Sequence, residues 1–421
     1  MTMLSRRRFL EQLAAAGALT AGVPLLSSCS SGPSAARSLS VDRRSGSPVE
    51  PRGRTVPGAV DGRILVVVNL EGGNDGLSTL VPLDDPIYHD LRPSLALPSA
   101  DVLALDSDVG LHPSLSLLHR RGIATVEGVG PVDGDLSHFA MTERWEQGDV
   151  HGAGGLRTGF LGRLADALDD GSPLVGVSTA GPTPNFTNQQ AATMSLGSTE
   201  DFWFLAPTDW SDAIAYQQGL ARFASAGDPL TAQIIESYGR LLDLTARLAP
   251  SEADIDWETP MIADGGDLGR QLHLAADLIE ADVGVRIVYA EIGGFDTHSN
   301  HHWQQQDNLR RFDAAVGGFL ERVDGLGLTD RVLVATTSEF GRRVEENDRG
   351  LDHGSASTML LAGPLSDGRF GERPPLDDLD EDGNLRVTVG FDRYLATLAE
   401  EWLGIEAASV LPTDAVPLGI F

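Results

Sequence analysis

Lysine is absent from this chain of 421 residues, so all 31 basic residues are arginine, and 61 aspartate and glutamate residues outnumber them. The formal net charge is −30 and the sequence pI is about 4.5. Because a nucleic-acid-binding surface has to be basic, this charge balance argues against a nucleic-acid partner. The contents of hydrophobic residues (41%) and charged residues (22%) are ordinary for a globular protein, and the chain is long enough to bury a large core.

Cysteine is nearly absent too: Cys29 is the only one, which excludes a disulfide within the chain. Long apolar runs are missing from the N-terminal region. The stretch Leu13–Leu26 is interrupted by Gly17, Gly22 and Pro24, so it is too short and too broken for a stable membrane span. No Gly-x-Gly-x-x-Gly fingerprint follows an apolar run, and the sequence therefore gives no indication of dinucleotide binding.

The first 29 residues have the pattern of an export signal rather than of a folded element. Residues 5–10, SRRRFL, resemble a twin-arginine signal, and residues 26–29, LSSC, resemble a bacterial lipoprotein box. We therefore predict a twin-arginine, lipoprotein-type signal over residues 1–29. A lipid on Cys29 would then anchor the protein outside the cytoplasmic membrane, in the cell envelope. The alternative is ordinary cleavage after a small residue, in which case Cys29 has no such role.

Residues 30–60 are rich in serine, proline, glycine and arginine and have no sustained hydrophobic periodicity. Such a segment cannot bury enough apolar surface to fold, so we predict a disordered tether. The remaining residues, 61–421, alternate apolar strand-like runs with helix-like patterns. This alternation predicts one α/β domain with a largely parallel central sheet flanked by helices.

Polar side chains follow or precede the predicted buried strands, at the points where ligands bind in open α/β sheets. Five of them are candidate metal ligands: Asp75, Asp296, His298, Glu339 and His353. Aspartate, glutamate and histidine bind divalent cations, so these positions predict a site for zinc, manganese, magnesium or calcium. Two such ions about 4 Å apart can bind the attacking and the leaving oxygen of a phosphoryl or sulfuryl transfer. The alternative is that Asp296 and His298 only cap turns in a surface loop.

Five motifs in sequence order carry a resemblance to a known family: LEGGNDGLSTLVPLDDPIY from residue 70, LSHF at 136–139 followed by Trp145, GGFDTH at 293–298, TSEFGR at 337–342 and DHG at 352–354. Over roughly residues 61–421 the chain resembles the exported bacterial family known as domain of unknown function 1501. This family is grouped with the alkaline-phosphatase-like superfamily of two-metal phosphatases, phosphomutases and sulfatases. The resemblance implies an alkaline-phosphatase-like α/β fold and metal site, but no particular substrate.

The resemblance also implies roles for individual residues. Asp75 matches the first metal-ligating aspartate of the superfamily, and His353 matches its final ligating histidine. Asp296 and His298 match an aspartate–histidine pair, although the superfamily usually spaces that pair four residues apart.

Glu339 lies where another aspartate–histidine pair would end the next strand, and Phe340 stands in place of that histidine. This departure leaves the second metal one ligand short, so a one-metal or weakened site is an alternative. It also favours a second reading of the whole chain, a non-catalytic cell-surface protein that keeps the fold to bind a carbohydrate, polymer or partner.

The resemblance further implies a nucleophile, because the superfamily attacks its ester with a serine, threonine or modified cysteine at a helix N-terminus. Ser137 matches that position, where unpaired N–H groups favour a bound anion. The alternative is that Ser137 only caps the helix, and His138 beside it is a candidate ligand or partner. Arg342 is a candidate for binding an anionic substrate group, or else it simply pairs with Glu345 or Glu346.

These features together predict an exported, metal-dependent hydrolase of phosphate or sulfate esters. Its substrate would be an anionic ester or surface polymer. Bound cations would reverse the local field of an acidic body, which otherwise repels such a substrate. The sequence does not indicate the oligomeric state.

Overall fold

A computed structural model describes residues 62–197, Gly239, and residues 259–365 and 367–421. The predicted signal at 1–29 and the predicted tether at 30–60 lie outside these ranges. Within them, no helix combines the length and the apolar character that a membrane span requires.

The described residues contain twelve strands that form two sheets. In chain order they are β1 (Ile64–Leu70), β2 (Leu80–Pro82), β3 (Leu103–Ala104), β4 (Val109–Leu111), β5 (Ala124–Gly130), β6 (Gly176–Ser178), β7 (Thr193–Ser195), β8 (Ile287–Ile292), β9 (Val332–Thr337), β10 (Ser357–Ala362), β11 (Gly368–Gly371) and β12 (Val389–Gly390). Strands β2, β4 and β3 form a small antiparallel sheet, and the other nine form the central sheet.

The central sheet has the strand order β11-β5-β10-β9-β1-β8-β6-β7, and β12 pairs with β5. Its pairings are parallel except for the two that β10 makes with β5 and β9. At the centre, β1 lies between β8 and β9, and Val66 is aligned with Val288 on one side and Val334 on the other. The predicted α/β fold with a largely parallel sheet is confirmed.

Helices cover both faces of this sheet. They are α1 (Gly76–Thr79), α2 (Pro86–Leu91), α3 (Ser116–Arg121), α4 (His138–Gln147), α5 (Phe160–Leu168), α6 (Pro260–Ala263), α7 (Gly266–Glu280), α8 (His301–Gly325) and α9 (Phe391–Ala396), the last continued by a π-helical turn at Thr397–Trp402. Short 3-10 turns lie at Ser99–Asp101, Pro184–Phe186, Thr329–Arg331 and Ala407–Ser409.

The apolar run of β1 divides its side chains between two cores. Val66 and Val68 pack with residues of α7 and α8 on one face, whereas Leu65 and Val67 pack with residues of α5 and α9 on the other. Because successive side chains of a strand point to opposite faces, a strand covered on both sides has to be apolar throughout. This requirement explains the near-continuous apolar run at Ile64–Leu70.

The strand directions bring four loops to one edge of the sheet. The loops after β1, β8 and β9 open there, because these three strands are parallel neighbours. The segment between β5 and α4 starts from the same edge. Strand β10 runs antiparallel to β9, so the connection between them begins and ends at this edge. Every candidate ligand predicted from the sequence is carried by one of these loops.

Candidate metal centre

Three imidazole nitrogens and one carboxylate oxygen meet at this edge of the sheet. The Nε2 atom of His353 lies 3.0 Å from Nε2 of His138 and 3.0 Å from Nε2 of His298. The Oδ1 atom of Asp296 lies 3.1 Å from Nε2 of His298, 3.4 Å from Nε2 of His353 and 3.5 Å from Nε2 of His138. We call these four residues the histidine–aspartate cluster.

The four members of the histidine–aspartate cluster come from three segments of the chain. His138 is the first residue of α4. Asp296 and His298 lie two residues apart in the loop after β8. His353 lies between β9 and β10, where it forms an isolated antiparallel bridge with Arg342.

The hydrogen bonds of the Nδ1 atoms determine which ring nitrogens face the centre with lone pairs. His353 Nδ1 donates to the carbonyl oxygen of Leu136 at 2.8 Å, and that oxygen can only accept. His138 Nδ1 pairs with the Glu339 carboxylate at 2.8 Å, and His298 Nδ1 pairs with the Asp352 carboxylate at 3.3 Å. Ionised carboxylates also only accept, so each Nδ1 carries a hydrogen. Each neutral ring therefore turns its Nε2 lone pair toward the others.

Lone pairs this close together repel one another unless a cation lies between them. In a tetrahedral zinc site with bonds of about 2.0–2.1 Å, neighbouring ligand atoms are about 3.3 Å apart. Five of the six separations in the cluster lie between 3.0 and 3.5 Å and bracket that value. Within the cluster, the ligand atoms of His138, Asp296 and His353 all lie within 4.8 Å of one another. The residues therefore fit a divalent metal ion.

The second nitrogens of the rings are held as metal-binding histidines usually are. Such a histidine donates its other N–H to a carboxylate, a backbone carbonyl or water, which fixes the tautomer and the ring orientation. The acceptors here are Glu339, Asp352 and the Leu136 carbonyl. Asp296 and His298 are 48% and 46% exposed, so solvent and a substrate can reach this side of the centre.

The pKa values of His138 and His353, whose Nε2 atoms lie 3.0 Å apart, shift in opposite directions. The hydrogen bond that His138 donates to the Glu339 carboxylate raises the pKa of His138, and burial only partly offsets it. Burial lowers the pKa of His353, and the neighbouring Arg342 and His138 add to this effect. Two Nε2 atoms this close cannot both carry a proton, and these directions favour protonation of His138 over His353.

Glu339 is present at the site but supports a ligand instead of pointing into the centre. Its Oε1 atom accepts from Nδ1 of His138 and from the backbone N–H of Gly72, both at 2.8 Å. The side chain is 3% exposed. Glu339 therefore orients His138 and holds the loop after β1 through Oε1, and its direct contact with a metal stays a prediction.

Asp75 is not part of the histidine–aspartate cluster. Its carboxylate caps α1 through the N–H groups of Leu77 and Ser78 and is bound by both terminal nitrogens of Arg92, at 2.6 and 3.0 Å. Burial acts to raise the pKa of Asp75, but Arg92 and His301 outweigh it and hold the pKa well below its usual range. Asp75 thus lies in a buried ion pair outside the cluster, and its role as the first metal ligand stays a prediction.

Arg342 does not face the space where a substrate would bind. Its guanidinium is fully buried and donates to the carbonyl oxygens of Gly72, Gly73, Leu351 and Phe295. It also donates to Oδ1 of Asp296 at 2.7 Å. Because the side chain is fully buried, it exposes no donor to a substrate anion, and neither Glu345 nor Glu346 is its partner. Arg342 instead ties together the loops that carry the cluster, and together with neighbouring histidines it outweighs burial and lowers the pKa of Asp296.

Ser137 lies beside a ligand candidate, as the sequence predicts, but its side chain does not cap the helix. It is the N-cap residue of α4, and its hydroxyl makes no capping hydrogen bond. Its own N–H is bound by Oδ1 of Asp135 at 2.9 Å. The preceding residue, Leu136, has a φ of +57°, which is unusual for a residue with a Cβ. The alternative of a simple N-cap is therefore not supported, and the role of nucleophile stays a prediction.

Phe340 packs directly against the cluster although it cannot ligate a metal. Its ring is fully buried, with its centroid 4.8 Å from that of His138 and 4.7 Å from that of His353. A Cβ on Gly73, which has a φ of +82°, would collide with this ring. The supporting roles of Phe340, Asp352 and Leu136 have no separate signature in the sequence. In the sequence, only their position next to the ligand motifs indicates these roles.

Comparisons with known proteins place this site in context. No curated protein matches the chain. Among solved structures, the C-terminal periplasmic domain of EcEptC from Escherichia coli in complex with Zn has a TM-score of 0.42 and 10% identity, over 89% of this chain and 91% of that one. A protein in the alkaline phosphatase superfamily from Vibrio parahaemolyticus has a TM-score of 0.36 and 10% identity, over 97% and 78%. The lipoteichoic acid synthase LtaP from Listeria monocytogenes has a TM-score of 0.36 and 9% identity, over 85% and 74%.

With scores and identities this low, the assignment of the centre rests on the residues of this chain. The family comparison is more direct, because it covers the segments that carry all members of the histidine–aspartate cluster. The protein family described as protein of unknown function DUF1501 matches residues 63–368. The chain belongs to the DUF1501 family.

Proposed function

We propose that this protein is a metal-dependent hydrolase of phosphate or sulfate esters, with an alkaline-phosphatase-like site. The observation that supports the proposal is that the Nε2 atoms of His138 and His298 each lie 3.0 to 3.5 Å from both His353 Nε2 and Asp296 Oδ1. Imidazole nitrogen is a donor that suits zinc, whereas magnesium and calcium prefer oxygen. Zinc is therefore favoured among the four metals that the sequence leaves open.

His138, His298, His353 and Asp296 would hold the ion. When bound, it would supply positive charge that stabilises the anionic ester and lowers the pKa of a neighbouring hydroxyl. This charge matters in a chain with a net charge of −30, because Arg342 is fully buried and exposes no donor to an anion.

Ser137 is the proposed nucleophile, because it directly precedes His138 and its hydroxyl is not used as a cap. Its oxygen would form a bond to phosphorus or sulfur while the bond from that atom to the alcohol oxygen breaks. The serine proton would end on the departing alcohol. Water would then release phosphate or sulfate and restore the serine hydroxyl.

The remaining residues of the site hold these groups in place. Glu339, Asp352 and the Leu136 carbonyl fix the three rings, and Arg342 fixes the Asp296 carboxylate. A ligand set held in this way needs little rearrangement when it binds its ion. The partly exposed Asp296 and His298 leave an approach for an ester carried on a small molecule or a surface polymer.

We further propose that the protein acts in the cell envelope. The basis is the sequence of residues 1–29, in which a twin-arginine pattern precedes an apolar stretch and Cys29. The twin-arginine pathway exports folded cargo, which agrees with a protein that acquires its metal before export. An anionic ester or a surface polymer outside the cytoplasmic membrane would then be the substrate.

The test combines metal analysis with a screen of phosphate and sulfate monoesters and diesters. Purified wild-type protein should retain a divalent metal and hydrolyse at least one ester class. The double variant Asp296→Ala, His353→Ala should lose both properties. The exposed His151, changed to alanine, is a matched control and should keep both. Unchanged metal content in the double variant would contradict the proposed centre.

A variant of Ser137 separates catalysis from metal binding. Ser137→Ala should keep the metal and lose the ester hydrolysis. Its stability should change by less than the ~1 kcal/mol typical of a lost N-cap, because the hydroxyl makes no capping hydrogen bond. Full activity of this variant would exclude Ser137 as the nucleophile. A protein that binds metal but hydrolyses no ester in the screen would favour the alternative of a non-catalytic surface-binding protein.

A further inference from the structure

The carboxylate of Asp75 has no lone pair left for a metal ion. A carboxylate offers about four lone-pair sites. Oδ1 accepts from the N–H of Leu77 at 3.3 Å and from Nη2 of Arg92 at 3.0 Å. Oδ2 accepts from the N–H of Ser78 at 3.1 Å and from Nη1 of Arg92 at 2.6 Å. His301 Nε2 lies 3.3 Å from Oδ2 as a fifth neighbour.

The guanidinium of Arg92 is equally committed. Beyond its two bonds to Asp75, Nε donates to the carbonyl oxygen of Val344 at 2.8 Å and Nη2 donates to that of Arg343 at 2.9 Å. Arg92 is fully buried. The ion pair therefore joins the loop after β1 to the loop between β9 and β10, which carries His353.

His301 is held by neighbours on both sides of its ring. Its Nδ1 atom is 2.7 Å from Oγ1 of Thr297, and its Nε2 atom is 3.1 Å from Oγ of Ser78. Thr297 lies between Asp296 and His298, so this buried network is adjacent to the histidine–aspartate cluster. Within this network, the guanidinium of Arg92 provides a fixed positive charge at Asp75 without a metal.

Phe340, the residue after Glu339, has a side chain that cannot bind a metal ion. Phe340 fills the space beside His138 and His353 with an apolar ring, where a further imidazole would be needed for a second ion. From the sequence alone, whether the site binds two metal ions depends on three positions: Asp75, Glu339 and Phe340. The structure commits the first to Arg92, the second to His138 and Gly72, and the third to packing.

We propose that the centre is mononuclear: the histidine–aspartate cluster binds one divalent ion per chain, and the guanidinium of Arg92 takes the place of a second cation at Asp75. This inference rests on the proposed metal centre. A second divalent ion on Asp75 would have to displace Arg92 from a buried pair, and it would lie within a few ångström of the displaced guanidinium. Breaking a buried ion pair in this way is strongly unfavourable.

The experiment counts metal ions bound to the full-length purified protein. Metal-free protein is titrated with Zn²⁺, and the ratio of zinc to chain is measured by inductively coupled plasma mass spectrometry and by native mass spectrometry. We expect one zinc per chain. Two tightly bound zinc ions per chain would overturn the mononuclear centre but leave the proposed function standing. No bound zinc would overturn the proposed metal centre itself.

Two variants locate the ion. Asp75→Asn should keep one zinc per chain, because Asp75 is not a ligand, whereas the matched change Asp296→Asn should reduce zinc affinity by at least tenfold. Loss of zinc from folded Asp75→Asn would overturn the inference. Asp75→Asn leaves the buried Arg92 without its partner, so circular dichroism has to confirm that the variant folds. If it does not fold, the count for the wild-type protein decides the question alone.

Discussion

His353 Nδ1 donates a hydrogen bond of 2.8 Å to the carbonyl oxygen of Leu136, which is held at a φ of +57°. This conformation is costly for a residue with a Cβ, and such residues concentrate where the surrounding structure has a use for them. Here it turns the carbonyl toward His353 and places Ser137 and His138 at the start of α4. One unusual backbone conformation thus serves both the ligand from the β9–β10 loop and the two residues that begin the helix.

Substitutions of Leu136 should separate its backbone role from its side chain. Leu136→Gly keeps the carbonyl and tolerates the positive φ, so zinc affinity should stay within a factor of about three and stability within about 1 kcal/mol. Leu136→Val places a β-branched residue in a conformation that such residues rarely adopt, and zinc affinity should fall about tenfold. Competition with a chromophoric chelator measures both affinities. Equal affinities for the two variants would show that the conformation of Leu136 does not matter.

Removal of the Glu339 carboxylate should weaken metal binding although Glu339 is not a ligand. Glu339→Ala frees Nδ1 of His138 and the N–H of Gly72, so we expect zinc affinity to fall ~10–100-fold. Glu345→Gln, an exposed site in the same loop, removes the same negative charge and should have no comparable effect. A loss of similar size in both variants would point to a general charge effect instead of ring orientation.

His112 should make the folded protein less stable at mildly acidic pH. Burial lowers the pKa of His112 to about 4, from an ordinary value of 6.5, and its Nδ1 atom accepts the N–H of Ser114. Between these pH values the unfolded chain binds a proton that the folded chain does not, so stability falls as the pH decreases from 6.5 toward 4. The loss is at most about 3 kcal/mol and levels off below that range.

The measurement is urea unfolding at several pH values between 4 and 7. The variant His112→Asn offers an amide oxygen to Ser114 without a titrating group, so its stability should change less steeply over this range. His151→Asn is the control and should keep the slope of the wild-type protein. Identical slopes for all three proteins would exclude His112 as the source.

Cys29 should determine where the protein is found in the cell. If a lipid is attached to this residue, Cys29→Ser should move the protein from the membrane fraction to the soluble envelope fraction. Ser31→Ala changes a nearby residue and should leave the protein in the membrane fraction. Membrane association that is equal for Cys29→Ser and wild type would contradict the lipoprotein assignment.

The fold could be predicted because its central strands have an unambiguous pattern. Buried runs such as Ile64–Val68 and Val332–Ala335 are apolar on both faces, as strands of a covered, largely parallel sheet should be. The strand β8 begins at Ile287 although the apolar pattern already starts at Val285, because where a strand begins depends on its pairing partners. The sequence of a single strand does not show which partners it pairs with, so it does not show where the strand begins or ends.

The candidate site was only partly predictable, because a residue type does not reveal its partner. Asp296, His298 and His353 are brought together as the sequence predicts. Asp75 is an aspartate like Asp296, but in the folded protein Arg92 lies next to it and forms an ion pair with its carboxylate. Likewise, the sequence alone cannot distinguish an arginine that meets substrate from Arg342, which four backbone carbonyls surround. These differences arise from long-range contacts between loops.

The antiparallel direction of β10 has a consequence for how the site assembles. Because β9 and β10 are joined at one edge, Glu339, Arg342 and His353 lie close in sequence, and we expect the contacts among them to form early at low entropic cost. His138 and Asp296 come from distant parts of the chain and arrive only when β5 and β8 have docked. Occupancy of the centre would thus report that the whole sheet has formed, and metal loading would be a late step of folding.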